Sequence, residues 1–200
     1  MNRVVWLMRR VVRRCGYALL KRVLDVVCSF LLLLFLLLPM GIIGATVALT
    51  SRGGALFRQI RLGRNGKPFV CYKFRTMYVT APHDCPAALL GDRARHVTPI
   101  GRFLRRSSLD ELPQLWNVLR GDMSLVGPRP LIACEQSAHD LRKRTGVYRI
   151  RPGMTGLAQV QSRENPDVAQ KVRMDVRYLR GMSLRRDLAI IGQTFWQVFR

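Results

Sequence analysis

A run of 26 residues without a charged side chain, at positions 26–51, limits the folds open to this chain more than any other feature. Positions 30–38 within it consist of Phe and Leu alone. As one α-helix the run would be about 39 Å long, whereas the hydrocarbon core of a bilayer is about 30 Å thick. A cleaved signal peptide is a poor explanation, because its apolar region is about 7–15 residues long. We therefore predict that this segment lies in or on a membrane.

The charges on both sides of the run leave two topologies open. Basic side chains precede it at Arg9, Arg10, Arg13, Arg14, Lys21 and Arg22, and follow it at Arg52, Arg58, Arg61, Arg64 and Lys67. Basic flanks are typical of the cytoplasmic side of a membrane. Pro39, near the middle of the run, removes a backbone hydrogen bond and bends or breaks a helix. A helix–break–helix that enters and leaves on one face fits these features, and so does a single-pass helix with a proline kink.

The first 22 residues alternate basic and apolar side chains. This pattern is typical of a segment that lies at the level of anionic lipid headgroups. It is equally typical of a positive-inside signal that orients a membrane anchor.

The composition narrows the class of partner. The 200 residues, about the size of one domain, carry 34 Lys and Arg against 12 Asp and Glu, a net charge of +22. With 48% hydrophobic residues the chain is too apolar to be disordered. A charge of this size predicts binding to nucleic acid, anionic lipid or phosphorylated substrates, and does not choose among them.

The five cysteines are an odd number and form no CxxC pair. This argues against a disulfide framework and against a zinc site built on paired cysteines, and it favours a reducing compartment. We expect the cysteines to be small buried hydrophobic residues.

Short patterns divide the rest of the chain into elements. They predict a strand at 69–74, helices at 99–106, at 112–120 and from 166 onwards, turns at 63–66 and 151–156, a stiff loop at 127–130 and an irregular loop at 78–97. The helix at 112–120 has apolar residues at i, i+3, i+4 and i+7, contains Pro113 in its first turn and ends at Gly121. The C-terminal aromatic residues Phe195, Trp196 and Phe199 fit either a core or a membrane interface.

Two adjacent acids, Asp110 and Glu111, are predicted at the start of this helix. They have an ordinary interpretation as helix-stabilising residues, and Ser108 with Glu111 fits a capping box. The surrounding arginines support a second interpretation: they lie at Arg102, Arg105, Arg106 and Arg129. A helix start among arginines is suited to binding phosphate, and ionised acids there are suited to attack phosphorus or to hold a hard cation.

The segments 107–118 (SSLDELPQLWNV) and 121–130 (GDMSLVGPRP) resemble the bacterial sugar transferase family, the monotopic polyprenyl-phosphate phosphoglycosyl transferases. Four further segments agree: 21–25 (KRVLD), 72–77 (YKFRTM), 151–160 (RPGMTGLAQV) and 175–179 (DVRYL). The resemblance covers about residues 19–195 and matches the small, single-domain form of the family. Leu38 departs from the family, which often has Ser before the proline, and Gln161-Ser162 replaces a usual Asn-Gly.

The resemblance implies an α-rich α+β fold. Residues 1–50 would form the basic segment and a reentrant membrane helix broken at Pro39, and residues 51–200 a compact cytoplasmic catalytic domain. It thereby favours the reentrant topology over the single pass, and places the protein at the cytoplasmic face of the inner membrane.

The implied reaction moves a sugar 1-phosphate from a UDP-sugar to undecaprenyl phosphate and releases UMP. Such a step initiates a surface glycan: exopolysaccharide, capsule, O-antigen or glycoprotein glycan. By resemblance the reaction needs Mg²⁺ and has two steps. Asp110 would be the nucleophile and Glu111 would support the metal with it. The remaining implied substrate-binding residues are Lys73, Arg75, Arg105, Arg129 and Arg163.

The partners that the resemblance implies are the UDP-sugar, undecaprenyl phosphate and inner-membrane lipid, and a homodimer stays open. A membrane-anchored nucleic-acid binder is the alternative from another class. The basic clusters lack interleaved aromatic residues and a nucleic-acid recognition motif, so no nucleic acid is expected. Within enzymes, a hydrolase of the nucleotide sugar and a direct attack by the lipid phosphate, with Asp110 as base, are the rivals. The sugar itself is not identified by any segment.

Overall fold

The structure, a computed structural model, describes residues 2–82, 93–161 and 167–198, and of residues 2–15, 93 and 94 it describes the backbone alone. In chain order the described helices and strands are α1 (Asn2–Phe35), α2 (Leu37–Thr50), β1 (Leu56–Leu62), β2 (Pro68–Phe74), α3 (Arg93–His96), α4 (Pro99–Arg106), α5 (Gln114–Arg120), β3 (Ser124–Val126), β4 (Leu131–Ile132), α6 (Gln136–Thr145), β5 (Gly153–Thr155), α7 (Leu157–Gln161), α8 (Val168–Arg180) and α9 (Leu184–Val198). The predicted helix-rich α+β composition is confirmed.

The uncharged run forms the last part of α1 and all of α2, and the segments Gly16–Phe35 and Leu37–Thr50 are bent by 64° relative to each other. Pro39 explains the position of the bend, because a proline ring clashes with the carbonyl four residues earlier. That carbonyl belongs to Phe35, the last residue of α1. Hydrogen bonds resume from Met40 N to Leu36 O at 2.8 Å. The predicted break is confirmed, and it lies at Leu36 rather than at the proline, which occupies the first turn of α2.

Within the described part of the chain, no single helix is both long and apolar enough to cross a bilayer; only the segments Gly16–Phe35 and Leu37–Thr50 together reach that length and hydropathy. Both helices expose large apolar side chains, among them Phe30, Leu34, Phe35, Leu37, Leu38, Ile42 and Leu49. An apolar surface this extensive marks contact with a membrane or a partner protein.

The larger sheet has the strand order β2-β1-β4 and is antiparallel throughout. Strands β1 and β2 are joined by the predicted turn, which places Asn65 in the left-handed region at φ 58°. The smaller sheet pairs β3 with β5 in parallel. The turn predicted at 151–156 is therefore wrong in its centre. Gly153 and Gly127 allow this pairing, since a Cβ at Gly153 would lie 2.0 Å from the nitrogen of Gly127.

The C-terminal helical region predicted from residue 166 is two helices, α8 and α9, separated at Gly181. Phe195 and Trp196 are exposed on α9, at 61% and 71%, so the core interpretation of these aromatic residues is wrong. Phe199 lies outside the described residues, as does Cys85. Among the other cysteines with described side chains, Cys71 is buried, Cys28 is partly buried and Cys134 is exposed, contrary to expectation for the last.

Polar side chains along one face of α1 attach it to the rest of the protein. Lys21 Nζ lies 2.9 Å from Asp187 Oδ2 on α9. The guanidinium of Arg22 donates to the carbonyls of Val118 and Leu119 at the end of α5, at 2.7 and 2.9 Å. The carboxylate of Asp25 accepts from the backbone N–H of Leu125, at 3.1 Å. The helix pair is thus joined firmly to the small sheet and to α5.

Candidate functional site

The two acids lie in a 3₁₀ turn, Leu109–Glu111, that precedes α5. The capping-box prediction is wrong. Ser108 takes a left-handed conformation at φ 57°, its side chain caps nothing, and the turn closes through Glu111 N and Ser108 O at 3.2 Å. Because the helix itself begins only at Gln114, the acids stand before it in a separate turn.

Asp110 is buried, with 8% of its surface exposed. Burial raises the pKa of its carboxyl group, Lys73 and Arg105 oppose that rise with their charges, and Glu111 adds to it. A carboxylate held out of water among cations is poorly solvated and therefore suited to act as a nucleophile.

Glu111 forms an ion pair with Lys73 of β2. Burial alone would raise the pKa of Glu111, but the charges of Lys73, Arg129 and Arg61 together outweigh it and lower the pKa. The two neighbouring acids are therefore pushed in opposite directions. Glu111 stays ionised and retains oxygen atoms suited to a hard cation.

Arg105 reaches the site from α4, and Thr76 helps to position its side chain. The Nε of Arg105 donates to Thr76 Oγ1 at 2.8 Å. The helix begins at Thr98, whose side chain accepts from Gly101 N at 3.0 Å. Gly101 lets α4 approach closely, since a Cβ there would lie 2.1 Å from Thr76 O. The predicted helix at 99–106 is confirmed, and it carries Arg105 to the acids.

Arg129 extends from the loop between β3 and β4. It is the exposed residue of a segment in which Gly127, Pro128 and Pro130 are all buried. Its charge acts on Glu111, and it also faces the buried Arg61, whose pKa is lowered by burial and by that neighbour. This loop therefore presents one guanidinium group to the site.

The structure brings together five of the predicted site residues: Lys73, Arg105, Asp110, Glu111 and Arg129. Arg75 contacts the start of β1 instead, where it donates to Gly54 O at 3.1 Å and lies over the ring of Phe57. Its role in substrate binding stays a prediction. Arg163 lies outside the described residues.

Two residues of the site were not predicted. Thr76 lies inside the segment 72–77 but was not assigned a role. The local sequence around Arg61 is that of an ordinary basic residue in a strand. The carbonyl to which it donates, that of Pro130, is 69 residues away. No local pattern reports a contact at that separation.

The two acids fit a magnesium site that the substrate completes, and not one built from protein ligands alone. Among the side chains that the structure describes, no group of three or more His, Cys, Asp or Glu residues is placed to hold a metal ion. Mg²⁺ is commonly held by one or two carboxylates together with substrate phosphates and water. Asp110 and Glu111 fit that arrangement, in which the substrate completes the site.

Comparison with known proteins agrees with the motifs. The family model for bacterial sugar transferases matches residues 16–200. The UDP-glucose:undecaprenyl-phosphate glucose-1-phosphate transferase of Caulobacter vibrioides is 44% identical over 190 residues, which cover 90% of this chain and 70% of that protein. The undecaprenyl-phosphate galactose phosphotransferase of Salmonella typhimurium is 39% identical, and the match covers 90% of this chain and 40% of that protein.

A shorter relative aligns along most of its length. It is an uncharacterized sugar transferase of Bacillus subtilis, 39% identical over 180 residues, with 90% of this chain and 87% of that protein covered. The chain thus spans most of the Bacillus protein but less than half of the Salmonella protein.

Proposed function

Because the chain belongs to the bacterial sugar transferase family and is therefore a sugar-phosphate transferase, we propose that it moves a sugar 1-phosphate from a UDP-sugar to undecaprenyl phosphate. The names of the relatives support this donor and this acceptor. The observation that carries the chemistry is the buried carboxylate of Asp110 under the charges of Lys73 and Arg105. In this proposal the product initiates a surface glycan.

In the first proposed step a carboxylate oxygen of Asp110 attacks the β-phosphorus of the donor. A bond forms between that oxygen and phosphorus, while the bond from the phosphorus to the bridging oxygen breaks and its electron pair leaves with UMP. The enzyme then holds the sugar phosphate as an acyl phosphate. A carboxylate nucleophile divides one difficult transfer into two easier ones.

In the second step an oxygen of undecaprenyl phosphate attacks the same phosphorus. The acyl phosphate bond breaks, the carboxylate of Asp110 is restored, and the lipid carries a diphosphate-linked sugar. No bond at the anomeric carbon is broken in either step, so the configuration of the sugar is kept.

Charge neutralisation is the main contribution of the site in this scheme. Phosphoryl transfer depends chiefly on positioning and on stabilising negative oxygens. The cationic groups placed to do so are Lys73, Arg105 and Arg129. Mg²⁺, held by Glu111 and Asp110, would supply further neutralisation of the donor phosphates when bound.

The bend between α1 and α2 supports a reentrant placement. If the 64° bend is shared equally, each helix slopes about 32° into the membrane. At 1.5 Å per residue Gly16–Phe35 and Leu37–Thr50 would descend about 16 and about 11 Å, and half of the hydrocarbon core is about 15 Å. The pair then reaches about the midplane and returns, with basic flanks on the cytoplasmic face of the inner membrane.

A labelling experiment tests the two-step scheme. Protein in detergent is incubated with a UDP-sugar carrying ³²P in the β-position, with Mg²⁺ and without lipid. We expect label on Asp110, located by peptide mapping, and its transfer to undecaprenyl phosphate when that is added. Asp110→Asn should abolish both signals, whereas Asp140→Asn, an exposed aspartate on α6, should leave both intact.

Other outcomes identify the rivals. Lipid product without enzyme label, at full turnover, would support direct attack by the lipid phosphate. Free sugar phosphate without lipid product would indicate a hydrolase. Retention of most activity by Asp110→Asn would remove the basis of the scheme.

A further inference from the structure

The loop that presents Arg129 is held at three consecutive carbonyls, those of Pro128, Arg129 and Pro130. Pro128 O accepts from Gly153 N at 2.9 Å. The carbonyls of Arg129 and Pro130 accept from buried arginines: Arg142 at 2.7 Å and Arg61 at 2.8 Å. Two prolines further restrict the loop, since their φ angles are fixed. The main chain under the exposed Arg129 side chain is thus fixed from three directions.

The arginine that holds the carbonyl of Arg129 belongs to a buried ion pair. Arg142 on α6 and Asp175 on α8 are 4% and 2% exposed. Two guanidinium nitrogens of Arg142, Nε and one Nη, lie 3.1 and 2.6 Å from Asp175 Oδ2. The other Nη donates to Arg129 O. All three nitrogens of the group are therefore engaged, two with the acid and one with the loop.

Stability alone does not explain such a pair. Removing two charges from water costs several kcal/mol per ion, and a buried pair is often no better than apolar residues of equal volume. Burial accordingly raises the pKa of Asp175, and the charge of Arg142 opposes that rise. A guanidinium group supplies planar, directional hydrogen-bond donors, which an apolar residue of equal volume lacks.

Arg142 differs in its partner from Arg61, the other arginine that holds the loop. The guanidinium of Arg61 is bonded to the neutral Gln59, and Arg129 repels it. Asp175 instead neutralises Arg142, so the carbonyl of Arg129 is held without a further net charge beside the phosphate site.

We propose that Arg142 and Asp175 are positioning residues for Arg129: they fix its main chain so that its guanidinium faces Glu111 and the donor diphosphate. The inference rests on the proposed function for the identity of the ligand. Neither residue touches the substrate; both act through the backbone of Arg129. Residues that orient metal ligands typically change metal affinity or activity about 10–100-fold when mutated, and we expect an effect at the lower end of that range for a residue that orients a phosphate-contacting arginine.

A double-mutant cycle tests the proposal. Dissociation constants for UDP-glucose and UDP-galactose, taken as probes, are measured by titration calorimetry on the full chain carrying Asp110→Asn, so that the proposed first step cannot consume the donor. This chain is compared with the same chain carrying in addition Arg142→Met, Arg129→Ala or both. We expect Arg142→Met to weaken binding of the better-bound probe about 10-fold or more, and to change it less than about 3-fold once Arg129 is absent. Arg144→Met, an exposed arginine on the same helix, should change neither value.

Equal weakening in both backgrounds would overturn the proposal, because Arg142 would then act on the fold at large. If Arg142→Met does not fold, as judged by its unfolding transition, the same cycle with Asp175→Asn decides in the same way. Arg142→Lys keeps the charge but loses the fork of donors, and should restore less than half of the lost binding energy. Binding without turnover separates this test from the proposed function, which fails independently if the wild-type chain binds UDP-sugar but does not transfer to lipid.

Discussion

We expect Asp110→Asn to abolish transfer and also to raise the melting temperature. The second effect is expected because the buried carboxylate of Asp110 reduces the stability of the protein. Burial raises the pKa of this carboxyl group in the native state above its value in the unfolded chain. For an acid with a raised native pKa, the cost is absent below the unfolded pKa and is fully present once the pH exceeds the native pKa. At pH 8 the wild-type chain therefore carries the whole cost, which the uncharged Asn removes.

The magnitude is modest because cations surround the site. Lys73 and Arg105 offset part of the desolvation of Asp110, so we expect a gain within the range of single stabilising substitutions, about 1 kcal/mol. For a chain of this size that corresponds to a rise of about 2–4 °C in Tm. The gain should shrink as the pH falls through the native pKa, because the wild-type group then becomes neutral as well.

The assay is thermal unfolding in detergent, followed by intrinsic fluorescence, at several pH values and with a chelator present so that no cation binds the acids. Asp140→Asn is the matched control, an exposed aspartate whose replacement should not shift Tm. A melting temperature for Asp110→Asn at or below that of the wild type at pH 8 would refute the reasoning.

Three further changes test separate parts of the molecule. Lys73→Met leaves Glu111 without its ion-pair partner and should lower kcat/KM about 100-fold, with a smaller loss for Lys73→Arg, both read from lipid-product formation. Pro39→Ala permits the missing helix hydrogen bond to the carbonyl of Phe35, so we expect a straighter helix that crosses the membrane. A cysteine introduced by Arg52→Cys, in a chain otherwise free of cysteine, should then be labelled from outside the inner membrane by an impermeant maleimide. Labelling only from the cytoplasm would contradict the role of the proline. Trp196→Ala removes an exposed aromatic side chain of α9 and should weaken flotation of the protein with anionic vesicles. Arg173→Ala, at an exposed position of α8, is the control for the loss of one surface charge. Equal effects of the two substitutions would argue against insertion of the tryptophan ring.

The elements that the sequence predicted are those determined by local patterns. The strand ending at Phe74, the helix Pro99–Arg106 and the helix ending at Gly121 follow from short-range periodicity and from proline and glycine. The bend at Leu36 follows from one proline and its clash with one carbonyl. Each of these features involves residues within a few positions of one another.

The features that were missed depend on distant residues. Strand β5 was predicted as a turn because its partner, β3, lies 29 residues earlier in register, at Ser124 opposite Gly153. Arg142 gave no signal, since its two partners are 13 and 33 residues away. The capping box failed for another reason: Ser108 and Glu111 have the right spacing, but the backbone of Ser108 is left-handed and its side chain makes no capping hydrogen bond.

Helix α5 connects α1 to the acids. Its last carbonyls accept hydrogen bonds from Arg22 of α1, and the turn that carries Asp110 and Glu111 precedes its first residue. Seven helical residues span about 10 Å. On the proposed reentrant topology, with α1 sloping about 32°, Arg22 lies about 5 Å below Gly16 and thus just under the headgroup level, so α5 holds the acids within about 15 Å of that level. An acceptor phosphate attached to a lipid cannot leave the membrane surface, and a short rigid helix anchored by Arg22 keeps Asp110, the proposed nucleophile, within its reach.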